Sequence, residues 1–234
     1  MIPTSAKEVK ALGWDYIDVI LFTGDAFIDH PSFGTAVIAR WLQKHGYRVA
    51  VVPQPNWRDD LRDFRKLGTP RLYFGVNSGA MDSMVNHYTA AKRLRSDDAY
   101  TPEGKAGQRP DYAVTVYTRI LKEIYPDVPV VIGGIEASLR RVSHYDYWQD
   151  CLKPSILVES GADWLCYGMG ERTMLEFTRA IEAGRNVSDI RKIPQLAFYM
   201  DGRAKLKDAV ILNSYERCCK DKIAFAENFH VIET

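Results

Sequence analysis

The sequence predicts a doubly wound α/β fold with a mostly parallel sheet. Three observations predict it. Short apolar runs recur along the chain, amphipathic segments of helical period stand between them, and turn residues punctuate the joins. The runs are nearly continuous rather than alternating, as strands covered on both faces require. Composition agrees: 234 residues, 46% hydrophobic and 26% charged, are those of an ordinary globular chain able to bury a core.

The strand-like runs are residues 17–22 (IDVILF), 48–52 (RVAVV), 71–76 (RLYFGV), 128–132 (VPVVI) and 164–167 (WLCY). The first helix is expected over 33–45, with Pro31 near its start, Gly46 just past its end, and Lys44 and His45 at the negative end of its dipole. A second is expected over 112–125, stopped by Pro126, and a third over 171–183, closed by Gly184. Residues 79–110 form an insertion after strand three, too long for an ordinary connection, with little that must be core between 77 and 92 and an exposed loop over 96–108. Beyond Gly184 the pattern reads as a hairpin (194–200, a turn at Asp201-Gly202, 207–212) and a charged helix over 215–229. The expected division is an α/β domain over 1–190, followed by the hairpin and helix over 191–234.

Charge and composition exclude several functions. Thirty-one basic and 30 acidic residues leave a formal charge of +1, without the basic excess of a nucleic-acid binder. No apolar run is long enough to span a membrane, and residues 1–14 show no secretory pattern. Cys151, Cys166, Cys218 and Cys219 form no C-x-x-C pair and read as reduced thiols of a cytoplasmic protein, Cys166 within the core.

In a parallel sheet of this kind, ligands bind beyond the carboxyl ends of the strands, where strand order reverses. That rule nominates four glycine-bearing loops: Gly24, Asp25, Asp29 and His30 after strand one; Asn77 and Ser78 after strand three; Gly133, Gly134 and Glu136 after strand four; Gly168, Gly170 and Glu171 after strand five. Glycines allow close backbone approach, and helix N-termini present free N–H groups to anions, but ordinary tight turns use the same residues. No phosphate-binding G-x-x-x-x-G-K-[ST] and no G-x-G-x-x-G after strand one is present; Gly168-Met169-Gly170 is half of one. Asp25, Asp29, His30, His87, Glu136 and His144 would suit a hydrolytic metal, although their spacing does not enforce it. Arg140-Arg141 offers an anion clamp or a solvated helix end. Tyr145, Tyr147 and Trp148 offer either a partner surface or packing against the sheet.

Several strings are more specific. TGDAFIDHPSFG (23–34), QPNW (54–57), GVNSGAMD (75–82), IGGIEASLRR (132–141) and YGMGER (167–172) together resemble the N-terminal region of the YgiQ-type radical-SAM proteins, and the resemblance runs through the whole chain. It implies a flavodoxin-like domain, similar to cobalamin-binding domains, that precedes a radical-SAM barrel. The barrel's CxxxCxxC thiolates would hold a [4Fe-4S] cluster, whose open iron takes S-adenosylmethionine. The present cysteines lack that spacing. The resemblance therefore implies that the barrel lies beyond Thr234, as the chain's partner within one polypeptide, and that the chain alone does not cleave S-adenosylmethionine. Histidine-ligating cobalamin domains carry Asp-x-His-x-x-Gly after strand one. Here Asp29 and His30 are adjacent and Gly34 follows four residues later, so the resemblance does not extend to cobalt ligation by His30. Gly133-Gly134 matches the glycine pair that lets the cofactor's nucleotide tail lie against the sheet.

Three functions follow as expectations. The first is an accessory domain holding a cofactor or substrate at the carboxyl edge of the sheet. The second is an interaction module that docks the barrel, with residues 145–148 in the interface. The third is a metal-dependent hydrolase built on Asp25, Asp29, His30 and Glu136. The substrate itself is not written in the sequence.

Overall fold

The computed structural model describes residues 1–200 and 209–233. In chain order the elements are α1 (Ala6–Ala11), β1 (Val19–Thr23), α2 (Gly34–Lys44), β2 (Val49–Pro53), α3 (Arg62–Arg65), β3 (Tyr73–Asn77), α4 (Ser83–His87), a 3₁₀ turn (Pro102–Gly104), α5 (Ala113–Ile124), β4 (Val130–Ile132), α6 (Gly134–Leu139), β5 (His144–Asp146), β6 (Cys151–Lys153), α7 (Ile156–Ser160), β7 (Trp164–Cys166), α8 (Glu171–Glu182), α9 (Val187–Ile190), β8 (Leu196–Phe198), α10 (Tyr215–Lys220) and α11 (Lys222–Glu233).

The main sheet has the order β2-β1-β3-β4-β7-β8. Its first five strands are parallel and β8 adds antiparallel to β7. The five parallel strands are the five apolar runs. Their residues are buried on both faces, which is why the runs do not alternate. The order reverses between β1 and β3, as in the flavodoxin-like arrangement, and this reversal opens a crevice at their carboxyl ends.

Each face of the sheet carries its own core. Ile20, Phe22, Phe74, Val130 and Ile132 pack under α5, with Phe22 stacked on Phe64 at 5.3 Å between ring centroids. Val19, Leu21, Val49, Val51, Tyr73 and Val131 pack under α2 and α8, where Phe177 meets both Tyr73 and Trp164 edge-on. Burying one such aromatic contributes about 1.5–3 kcal/mol, so these two layers hold the sheet in place.

Three expectations need correction. The insertion is not a detached loop. Ser83, Met84, Asn86 and His87 of α4 are buried, as are Asp98 and Arg109; Ser83 bonds to Glu136, His87 Nδ1 to Asp111 and Arg109 to Asp98 inside the fold. Residues 215–229 are not one helix. Extended backbone at Asp221 (φ −138°, ψ 107°) separates α10 from α11. Of the C-terminal hairpin, β8 is present but pairs with β7. Residues 209–212 form no strand, and the expected turn at 201–202 lies outside the described residues. The sequence reading also passed over a small antiparallel pair, β5 with β6, between β4 and β7.

Candidate functional site

The carboxyl edge of the sheet carries two arrangements, one on each face. On the α5 face the loops close on each other through buried charge. Arg109, fully buried, pairs with Asp25 at 2.9 Å and Asp98 at 3.1 Å, and donates to the Ser78 carbonyl at 2.8 Å. Asp25 also accepts from Ala80 N at 2.6 Å. Burial outweighs the nearby guanidinium and holds the Asp25 carboxyl above the usual carboxylate range. The β1 and β3 loops touch so closely that a Cβ on Gly24 would sit 2.2 Å from the Ser78 carbonyl oxygen. That glycine serves chain crossing, not a ligand.

A second knot lies beside it. Glu136 accepts from Ser83 N at 2.8 Å and Val114 N at 3.0 Å. Arg140 bonds to Asp82. Burial, and next the charge of Asp82, pushes the Glu136 carboxyl upward. Both knots spend their charges internally, so Asp25 and Glu136 are not presented to a ligand.

On the α2/α8 face the edge is open. A cavity of about 350 Å³ descends between the sheet and the starts of these two helices. Its floor is the row Leu21–Gly75–Val131, which is in register across β1, β3 and β4. Gly75 lacks a side chain in the middle of a strand. A Cβ there would fall 2.6 Å from Leu21 Cδ2, so the missing side chain lets Leu21 lie across Gly75 on the cavity floor. Asn77 forms part of the wall. Its Oδ1 accepts from Thr23 Oγ1 and Gly79 N, both at 2.9 Å, and one of its Nδ2 hydrogens goes to the Phe22 carbonyl, leaving a second donor. The first turns of α2 and α8 reach the cavity without a side-chain cap, so their N–H groups stay open to a polar ligand atom. Cys166 lines the cavity as well; burial pushes its thiol up to about 12, which keeps it a neutral wall rather than a nucleophile.

The twelve residues nominated from sequence therefore divide. Asn77, Gly133, Gly134, Gly168, Gly170 and Glu171 line the cavity. Gly24, Asp25, Ser78 and Glu136 are bound up in the α5-face packing. Asp29 lies outside both and pairs with Arg40 at the surface. His30 is exposed at the rim, where its Nδ1 accepts from Ser32 N at 3.2 Å. The four residues of the hydrolase expectation are thus not brought together. Among the described residues, no group of three metal-ligating side chains forms.

Other nominated residues also find places. His87 is buried, in an ordinary polar contact with Asp111 at 2.6 Å. Arg141 donates to the Ser138 carbonyl at 2.7 Å. Burial, the largest influence, holds the His144 imidazole below its ordinary value. The reading missed Gly75 and Thr35 in the cavity, and Arg109 and Asp82 in the knots. The glycine inside the run RLYFGV was a usable signal for Gly75. Nothing in the local sequence marks Arg109.

Fold and cavity together define a flavodoxin-like α/β domain with a ligand-sized crevice at its switch point. Residues 1–234 match the family described as Radical SAM N-terminal, and the chain belongs to that family. It is 59% identical over 99% of its length to a UPF0313 protein of Porphyromonas gingivalis, of which it covers 37%. It is 56% identical to one of Bacteroides thetaiotaomicron, of which it covers 40%. The chain thus spans about two fifths of the length of these relatives. Among solved structures it is similar to TsrM from Kitasatospora setae, a radical S-adenosylmethionine methyltransferase with cobalamin and a [4Fe-4S] cluster bound. That match has a TM-score of 0.52 and 21% identity over 80% of this chain and 28% of the other, a likeness of fold. Among the described residues, no helix is long and apolar enough to cross a membrane.

Proposed function

We propose that this chain is the cofactor-holding accessory domain of a radical-SAM iron–sulfur enzyme, and that the cavity takes the nucleotide tail of a corrinoid such as cobalamin. The observation that carries this is the cavity floored by Leu21, Gly75 and Val131 under two uncapped helix starts. Its volume, about 350 Å³, lies at the low end for small-molecule sites. A narrow, largely apolar slot would suit the flat, uncharged ring at the end of such a tail. Asn77 Nδ2 and the first-turn N–H groups of α2 and α8 suit the polar atoms of the tail. Gly133 and Gly134 keep the wall low. When bound, a corrinoid supplies a cobalt centre that can carry a one-carbon group. The chain's own residues, Asn77 and the first turns of α2 and α8, would bind and orient it. The [4Fe-4S] cluster and S-adenosylmethionine belong, in this reading, to the further chain that the longer relatives carry.

The test is gel filtration of the chain with cyanocobalamin, followed by its visible absorbance. The expected result is co-elution that Gly75→Val weakens at least tenfold. No co-eluting corrinoid overturns the assignment. A second reading, a module that docks the catalytic part without any ligand, draws on the exposed Tyr145 and Tyr147 of the small β5–β6 region. It gains if no corrinoid binds while substitutions at those tyrosines separate the two parts.

A further inference from the structure

The last helix is built inside out. Of α11, only Ala224 and Asn228 are buried. What holds it is a polar clasp. Asn228 Oδ1 accepts from Asn213 N at 2.7 Å, Asn228 Nδ2 donates to the Asn213 carbonyl at 2.9 Å, and Asn213 Nδ2 donates to the Ala224 carbonyl at 3.0 Å. Two of its bulky apolar side chains face water instead: Ile223 is 70% exposed and Phe229 60%. The strand-less stretch before α10 adds Ile211, 90% exposed. An ordinary surface helix turns its apolar stripe inward, whereas Ile223, Ala226 and Phe229, spaced three residues apart, lie along the outward side of α11.

The clasp nevertheless holds α11 in a definite place. Tyr215 Oη donates to the Leu152 carbonyl at 3.2 Å, which ties α10 to β6, and Asn228 Nδ2 reaches Cys218 Sγ on α10 at 3.3 Å. The apolar side chains are therefore presented on a fixed bracket rather than a loose tail. The family is defined as an N-terminal one, and the two relatives extend well beyond the part this chain matches. That further chain is the occupant the length argument supplies.

We infer that the outward face of α11, centred on Ile223 and Phe229, is the docking surface for the chain that follows this domain in the longer family members. The bracket fixes how the cavity mouth sits relative to that chain. This rests on the reading of the domain as one part of a two-part enzyme, and does not depend on what the cavity binds.

The test compares hydrogen exchange in the full-length Porphyromonas gingivalis relative and in the 234-residue chain. Exchange in the helix aligned with α11 is measured against α5, which is buried by the domain itself. The expected result is exchange at least tenfold slower in the longer protein; equal rates overturn the proposal. Sedimentation of the 234-residue chain covers the rival occupant. A monomer unchanged by Ile223→Glu with Phe229→Glu supports the proposal, and a dimer dissolved by that pair assigns the face to a second copy and overturns it. Corrinoid co-elution, run on the same samples, reports only on the cavity, so failure of one reading is distinguishable from failure of the other.

Discussion

The two faces of one sheet edge make opposite use of similar loops. On the α5 face, Asp25, Arg109 and Asp98, and beside them Asp82, Arg140 and Glu136, fill the space with paired charge. On the α2/α8 face, Gly75, Gly133 and Gly134 leave the space unfilled. The lesson is that ionisable residues in these loops are not by themselves signs of chemistry. Here the acids fasten the insertion to the β1 and β3 loops, and the absence of side chains makes the site. A closed, rigid side lets the open side keep its shape.

The comparison breaks first at Arg109. Arg109→Met leaves Asp25 and Asp98 buried without a counter-charge, and should cost about 3–5 kcal/mol in denaturant unfolding. A loss below about 1 kcal/mol would mean that the knot is not what fastens the insertion. Next comes Gly75→Val on the open side. The added side chain forces Leu21 out of its place on the cavity floor and should cost about 1–3 kcal/mol, while lowering corrinoid affinity at least tenfold. If Arg109→Met proves the milder in stability, the roles assigned to the two faces are reversed.

A smaller effect follows acid. Burial holds the His144 pKa in the folded state below the unfolded value of about 6.5. As pH falls through that value, the unfolded chain takes up the proton first, so stability drops on acidification and is fully present above it. The melting temperature should therefore fall between about pH 7.5 and pH 5.5, and fall less in His144→Gln. An identical slope in the variant assigns the pH response to another group. Smallest of all, Asp29→Ala breaks only a surface pair with Arg40 and should change stability by less than about 1 kcal/mol. His30→Ala should leave the corrinoid spectrum unchanged, and a changed cobalt spectrum would restore His30 as a ligand.

The sheet was legible because its signal is local. The runs at 17–22, 48–52, 71–76, 128–132 and 164–167 carry their strand character in their own residues, whereas connection rules allow more than one doubly wound order and only the family resemblance pointed to the flavodoxin-like one. The cavity was half legible. Position relative to strand ends brought forward Asn77, Gly133, Gly134, Gly168, Gly170 and Glu171. The division of labour was not legible, because it depends on contacts across the chain. Asp25 meets Arg109 from 84 positions away, and Glu136 meets Ser83 from 53. The polarity of residues 79–110 looked like solvent exposure for the same reason, since partners for Asp98 and His87 become visible only once the chain is folded.

The central claim is that the corrinoid tail occupies the open face at Gly75. The first-turn amides of α2 and α8 report on it directly, because Gly34, Thr35, Gly170 and Glu171 line that cavity and neither helix start has a side-chain cap. Hydrogen exchange with and without cyanocobalamin reads them against α5, which lies on the opposite face of the sheet. The account predicts that bound corrinoid slows exchange at these first turns at least tenfold and leaves α5 unchanged. Co-eluting corrinoid with undiminished exchange at both helix starts would contradict it.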